Sequence, residues 1–169
     1  AELLLSLITR KSREGILLNL EQRLSENEIK NFNHLINRRI KKEPISQITG
    51  KRFFWKSEFI VNQNVLTPRF ETELLVEQIL KNFKLSDRLK ILDVGVGSGC
   101  ILLSLLNEKN NWKGVGIDIS KMAINIAKFN AKIQQIDNRI TFINSDIDNF
   151  FDDKYDIVVS NPPYINIFK

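Results

Sequence analysis

The residues of this sequence best suited to chemistry stand near its end, where an apolar run leads into Asn161, Pro162, Pro163 and Tyr164. Proline fixes a backbone torsion and has no N–H, so the Asn161 side-chain oxygen and the Pro162 carbonyl can face a ligand as rigid acceptors. Two acceptors suit an NH2 group, because binding both hydrogens localises the nitrogen lone pair and aims it at an electrophile. Tyr164 can stack on a planar substrate and favour a nearby cation such as a sulfonium.

A glycine-rich turn lies upstream, between a predicted strand and a predicted helix. Glycines let a ligand lie against bare backbone, and the free N–H groups of the following helix point toward it. A dinucleotide-binding turn requires glycine where Cys100 stands, and a phosphate-binding P-loop requires Gly-Lys-Ser/Thr, so both alternatives are disfavoured. A plain strand-to-helix connection stays open as an alternative. The predicted nucleotide-type cradle consists of Gly95, Val96, Gly97, Ser98 and Gly99.

Two carboxylates follow at the ends of later predicted strands. Asp118 stands about twenty residues after the glycine turn, where an acidic side chain can accept hydrogen bonds from both hydroxyls of a ribose. Its alternative role is to cap the next helix, which Ser120 could do itself. Asp146 ends the following strand, at the edge of the sheet where ligands bind in open α/β folds. Four strands thus bring polar or glycine residues to one edge.

The elements that position these residues follow from periodicity. From Pro68 onward, short apolar runs alternate with amphipathic segments at the spacing of βαβ units, which predicts a parallel sheet with helices on both faces. Residues 1–43 have helical periodicity, with a capping-box start over residues 25–28. Residues 44–66 alternate and are rich in aromatic residues, which indicates a β-hairpin or extended connector rather than a helix. Residues 67–169 form the predicted α/β domain.

Composition excludes several classes of protein. The chain has 169 residues, 43% hydrophobic and 27% charged, as in ordinary globular domains. It contains no apolar run of about eighteen residues and does not start like a signal peptide, so we expect no membrane span and a cytoplasmic location. A single cysteine, Cys100, and a single histidine, His34, exclude an internal disulfide and fall short of a metal cluster.

The positive charge lies in the first half of the chain. Residues 1–88 contain 16 basic and 11 acidic residues, whereas residues 89–169 contain 9 of each. The densest basic stretch covers residues 38–42 and could face nucleic acid or an RNA-associated partner. The alternative is a solvated helix end, where cations interact favourably with the helix dipole.

Taken together, the glycine turn, Asp118, the Asn-Ser-Asp stretch and the Asn-Pro-Pro-Tyr motif resemble class I S-adenosylmethionine-dependent methyltransferases. The segments EPISQITG, FFW and LTPRFETELLVE, with AELLL at the start, are similar in order and spacing to the HemK/PrmC family of release-factor glutamine N5-methyltransferases. The resemblance implies that residues 95–99 hold the cofactor, Asp118 its ribose, and Asp146 and Ile147 its adenine. It also implies that residues 161–164 hold the glutamine amide of a Gly-Gly-Gln loop, without a metal.

The sequence departs from the family pattern in places. Ile147 replaces the usual aromatic residue, Phe70-Glu71 replace Pro-Asp, and Thr67 replaces isoleucine. The family's helical domain begins some twenty residues earlier and its catalytic domain continues well past Tyr164, so we expect the chain to be a fragment. The resemblance further implies the strand order 3-2-1-4, a monomeric complete enzyme, and a fragment that self-associates through an open sheet edge.

Two other functions remain open from the sequence alone. The same chemistry could act on an exocyclic amine of adenine or cytosine in DNA or RNA, although no nucleic-acid recognition motif accompanies the basic stretch. The chain could also be a non-catalytic binding module that keeps the cofactor loop. Transfer to a release factor is the leading interpretation, and nucleic acid is not expected as the substrate.

Overall fold

The computed structural model describes residues 1–84, 87–151 and 154–162 of the chain. They belong to two compact units, Ala1–Gly50 and Lys51–Lys169. Among the described residues, no helix is both long and apolar enough to cross a membrane.

The first unit is helical. It contains α1 (Glu2–Thr9), α2 (Arg13–Leu17), α3 (Glu26–Ile40) and α4 (Ile45–Thr49). The capping box predicted at the start of α3 is confirmed, because the Ser25 side chain accepts from the Glu28 N–H while the Glu28 carboxylate accepts from the Ser25 N–H. These two bonds satisfy N–H groups that the first turn of a helix leaves free.

The basic stretch lies at the end of α3 and is partly paired. The Arg38 guanidinium donates to both carboxylate oxygens of Glu43, and the Arg39 side chain donates to the Glu43 carbonyl. Cations are favoured in the last turn of a helix, where the carbonyl groups give a negative potential. This arrangement agrees with the alternative of a helix end whose cations interact favourably with the helix dipole.

The segment predicted as an extended connector is helical at its start. Residues Ile45–Thr49 form α4, so the expectation of no helix there is wrong, because the proline at position 44 begins a short helical turn rather than an arm. The expected hairpin follows as β1 (Lys51–Phe54) and β2 (Ser57–Ile60), paired antiparallel. Phe54 and Phe59 are fully buried in the core of the second unit. The hairpin is therefore an integral part of that unit's packing.

The second unit is built on a four-stranded parallel sheet. Its strands are β3 (Lys90–Val94), β4 (Lys113–Asp118), β5 (Ile140–Asn144) and β6 (Ile157–Ser160), in the order β5-β4-β3-β6. This is the expected order 3-2-1-4. Three helices connect or precede these strands: α5 (Glu73–Asn82), α6 (Cys100–Glu108) and α7 (Lys121–Ile133).

The two faces of this sheet are covered differently. The buried side chains of α5 and α6 and most of those of α7 join one core with the hairpin phenylalanines and Trp112. The opposite face carries Leu92, Val115 and Ile117, packed against Phe150 and Tyr155. Within the described ranges, helices thus line one face only, and the expectation of helices on both faces is not met there. The well-covered face is the one that supports the glycine turn.

Candidate functional site

Strand register brings the predicted site residues to one edge of the sheet. Val94 pairs with Ile117 on one side and with Ser160 on the other, and Asp118 pairs with Asn144. The glycine turn after β3 therefore lies between the ends of β4 and β6. Since neighbouring strands are spaced about 4.8 Å apart, the first loop residues after β3, β4 and β6 form one continuous rim.

The glycine turn is open toward this rim. A Cβ atom built at Gly95 meets nothing within 4 Å, and at Gly97 it meets only the Gly95 carbonyl, at 3.9 Å. Gly97 has φ of +54°, a left-handed conformation that disfavours other residues. In contrast, the side chains of Val96 and Ser98 are buried, so these two residues offer a ligand only their backbone. The turn is thus a cradle of exposed backbone held by inward-pointing side chains.

Asp118 links the end of β4 to this cradle. One carboxylate oxygen accepts from the Gly97 N–H at 3.0 Å, and the other accepts from the Ser120 N–H at 2.8 Å. The Asn144 side chain holds the same loop by donating to the carbonyls of Asp118 and Ile119. As expected, Ser120 itself caps α7, because its hydroxyl accepts from the Ala123 N–H. A carboxylate has about four acceptor positions, so Asp118 retains capacity for a further donor.

The end of β5 supplies a more exposed part of the rim. Asp146 caps a short 3₁₀ turn, Ile147–Asn149, by accepting from the Asp148 N–H. Ile147 is exposed, and Ile119 beside Asp118 is 75% exposed. Two large apolar side chains thus flank the carboxylates of this rim, an arrangement that suits a flat apolar ring with a polar substituent.

A second acidic residue, Asp93, lies beneath the cradle. It is 1% exposed, on the sheet face that α6 covers, and no described residue gives either carboxylate oxygen a hydrogen bond. The pKa of Asp93 is raised to about 7, chiefly by burial; the Leu102 N–H lowers it without reaching hydrogen-bond geometry, and the nearby Asp118 charge raises it. An unpaired buried carboxyl prefers its neutral form, because transfer of a bare charge from water is unfavourable.

Asn161 begins the loop after β6, beside the cradle. Its side-chain NH2 donates to the Thr72 hydroxyl at 3.0 Å. Both residues line a cavity of about 330 Å³, together with Arg69, Glu71 and Leu75. Pro162 is exposed, whereas Pro163 and Tyr164 lie outside the described residues. Asn161 and Pro162, the two acceptors predicted to bind an NH2 group, are called the NH2 clamp. Asn161, the first of them, thus lines a cavity of the size that small ligands occupy.

Asn130 connects the cradle to the hairpin by hydrogen bonds. Its side chain is 1% exposed on α7, accepts from the Ile60 N–H at 2.8 Å and donates to the carbonyls of Ile60 and Ser98 at 3.0 and 2.9 Å. Both ends of this amide are therefore satisfied by backbone. The sequence could have indicated Asn130, because it is a polar residue beside Ala127 and Ala131 on the buried face of α7, and buried polar groups need hydrogen-bond partners.

Cys100, the first residue of α6, is not a nucleophile in this site. Burial raises the pKa of its thiol to about 12, and the nearby charge of Asp93 acts in the same direction. The thiol therefore stays protonated at neutral pH, and a protonated thiol is unreactive.

Comparison with known families decides the kind of protein. The model described as Methyltransferase small domain matches residues 70–167, more than half of the chain. The chain belongs to this family. The matched segment contains the glycine cradle, Asp118, Asp146 and the Asn-Pro-Pro-Tyr motif. A second model, the PrmC N-terminal domain, matches residues 1–50. The resemblance to the HemK/PrmC family is thereby confirmed.

Curated relatives of this methyltransferase chain agree with that assignment. A release factor glutamine methyltransferase of Caulobacter vibrioides is 41% identical over 98% of this chain and 57% of its own length. One from Buchnera aphidicola subsp. Acyrthosiphon pisum is 42% identical over 98% of this chain and 59% of its own length. The chain thus spans less than two thirds of the length of these relatives.

A solved structure shows the same fold. The ribosomal protein L11 methylase of Lactobacillus delbrueckii subsp. bulgaricus superposes with a TM-score of 0.51 and 22% identity, over 60% of this chain and 51% of that one. The predicted class I methyltransferase fold is confirmed by this likeness and by the sheet order.

Proposed function

We propose that the protein containing this chain transfers a methyl group from S-adenosylmethionine to the side-chain amide nitrogen, N5, of the glutamine in the Gly-Gly-Gln motif of peptide chain release factors. One observation carries the proposal: an asparagine, Asn161, directly follows the strand that pairs with the one leading into the open glycine cradle, through the Val94–Ser160 register. The naming of relatives as release factor glutamine methyltransferases at about 40% identity over nearly the whole chain supports the choice of substrate.

The residues of the rim fit the cofactor. The space in front of Gly95 and Gly97 is free, so a ligand can approach the backbone of residues 95–99 closely. Asp118 accepts from the ribose hydroxyls, while Asp146 and the exposed Ile147 flank the adenine. When bound, S-adenosylmethionine supplies a methyl group on a sulfonium, which needs no further activation by a metal.

The substrate amide is held by the loop after β6. The Asn161 side-chain oxygen and the Pro162 carbonyl accept the two hydrogens of the glutamine NH2, which localises the nitrogen lone pair and orients it. Pro163 and Tyr164 complete the motif in this proposal, since a proline restricts the backbone and a tyrosine ring can stack on a planar amide. Because these acceptors are strongest toward a nitrogen that gains positive charge, they stabilise the transition state more than the bound substrate.

The remaining parts of the chain have supporting roles in this proposal. Residues 1–43 form a helical region that holds the release factor, residues 44–66 connect it, and residues 67–169 carry out methyl transfer. The complete enzyme acts as a cytoplasmic monomer, and nucleic acid is not its substrate.

A methyl-transfer assay with the protein expressed from its own gene tests this function. Radiolabelled S-adenosylmethionine is offered with a release factor, with the same factor lacking the Gly-Gly-Gln glutamine, and with single-stranded DNA and RNA. We expect label on the intact release factor alone. Asn161→Ala is expected to lower kcat about a hundredfold, which is the loss of roughly 3 kcal/mol of transition-state stabilisation.

The matched control is Asn138→Ala, an exposed asparagine in the 3₁₀ turn Asp137–Arg139 that precedes β5. It removes the same group at the start of β5, away from the rim at the carboxyl ends of the strands, and is expected to keep full activity. Label on nucleic acid, or equal transfer to the factor without the glutamine, contradicts the proposal.

A further inference from the structure

Thr72 stands where a helix cap is expected but does not cap its helix. It is the N-cap residue of α5, a position that favours threonine because the hydroxyl can accept from an N–H of the first turn. Its side chain makes no such bond. The residue is only 8% exposed, and its hydroxyl accepts a hydrogen bond from the Asn161 NH2. The hydroxyl therefore serves the loop after β6.

In the structure the Asn161 amide lies with its NH2 toward the Thr72 hydroxyl. An asparagine side chain presents an oxygen on one side and an NH2 on the other, and exchanging them converts an acceptor into a donor. With the NH2 directed at the Thr72 hydroxyl, the amide oxygen lies on the side away from Thr72. A substrate NH2 is bound by that oxygen only in this orientation.

We infer that Thr72 is a positioning residue, which holds the Asn161 side chain so that its oxygen faces the substrate amide. The inference rests on the proposed function for the identity of that substrate. The cavity supports it, because Thr72 and Asn161 both line the same space as Arg69, Glu71 and Leu75. Thr72 reaches Asn161 across 89 positions of sequence. The segment before α5 is thus coupled directly to the NH2 clamp.

The first test measures the orientation itself, without a substrate. The side-chain NH2 signals of Asn161 are followed by nitrogen-15 NMR and assigned by their loss in Asn161→Asp. Thr72→Val keeps the shape but removes the hydroxyl, so we expect these signals to shift and their hydrogen exchange to accelerate about tenfold. Thr72→Ser keeps the hydroxyl and is expected to retain the wild-type signals. Unchanged signals in Thr72→Val overturn the inference, whatever reaction the protein catalyses.

The second test separates positioning from folding. In the methyl-transfer assay, Thr72→Val is expected to lower kcat about tenfold with KM for S-adenosylmethionine within about twofold, and Thr72→Ser to restore most of the turnover. Thermal denaturation of all three proteins checks that the fold is retained. A wild-type kcat in Thr72→Val, or a fall that Thr72→Ser does not reverse, overturns the inference.

The experiments distinguish a failure of the proposed function from a failure of the inference about Thr72. If the wild-type protein methylates no release factor, the proposed function fails, and the NMR comparison still decides whether Thr72 orients Asn161. If the wild-type protein is active and its Asn161 signals do not respond to the valine substitution, the proposed function stands and the role of Thr72 is lost.

Discussion

We expect Asp93→Asn to change how the stability of the protein depends on pH. Relative to that of the wild type, the free energy of unfolding of the variant should be higher at pH 8 than at pH 5. Burial raises the pKa of Asp93 from 3.8 to about 7, so the folded chain binds a proton that the unfolded chain releases. Stability is then highest at low pH and falls as the pH rises from about 4 to about 7. Each pH unit in that window is worth about 1.4 kcal/mol, which gives roughly 4 kcal/mol in all and about 3 kcal/mol between pH 5 and pH 8.

Urea denaturation at pH 5 and pH 8 measures this directly. Asp93→Asn keeps the size of the side chain and removes its charge, so the difference in unfolding free energy between variant and wild type should rise by about 3 kcal/mol between the two pH values. Ser104→Ala is the control, since it alters another buried polar side chain that carries no charge. A difference for Asp93→Asn that stays constant with pH refutes the reasoning that this carboxyl is forced into its neutral form.

Three further outcomes are expected. Gly97→Val should abolish binding of S-adenosylhomocysteine in a calorimetric titration, because a branched side chain enters the open cradle. Cys100→Ala, the control, should bind with a dissociation constant within about twofold of the wild-type value, and normal binding by the valine variant contradicts the cradle. Asn130→Ala should lower the unfolding free energy by about 3 kcal/mol in urea, since three backbone groups lose their partner, and a loss below about 1 kcal/mol speaks against that bridge. Trp55→Phe removes a 2.8 Å bond to Glu108 and should cost about 1 kcal/mol in the same urea measurement. Because Glu108 also pairs with Lys56, adding Glu108→Gln should cost more, but the double variant should lose less than the sum of the two single losses.

Much of the fold was predictable from local patterns. The strand and helix order from β3 to β6 follows from alternating apolar runs and amphipathic segments, and the capping box at Ser25 marks the start of α3. The helix α4 was not predicted, because five residues are too few to show helical periodicity. That the helices cover one face of the described sheet was also not predictable, since periodicity gives the type of an element and not the side on which it packs.

Some residues of the candidate site were predictable from the sequence and others were not. The glycine cradle, Asp118, Asp146 and Asn161 carry their chemistry in residue type and position at a strand end, so the sequence indicated them. Thr72 and Asn144 lie in segments that carry the family resemblance, but they act by hydrogen bonds to distant parts of the chain, and their local sequence does not identify those partners. Asp93 stands directly before the glycine turn in the sequence, and only its burial shows that its pKa is raised.

The bridge made by Asn130 has a consequence for folding. Its side chain joins residues 32 and 70 positions away, Ser98 in the cradle and Ile60 in the hairpin. Such distant contacts form late, because long loops must close before the bonds between their ends contribute. We therefore expect the cradle to reach its final shape after the local helices and turns have formed. It is completed when the hairpin packs on α7 and the Asn130 bonds form. Loop and hairpin then open and close as one cooperative unit, and amide exchange in both should share a single opening free energy.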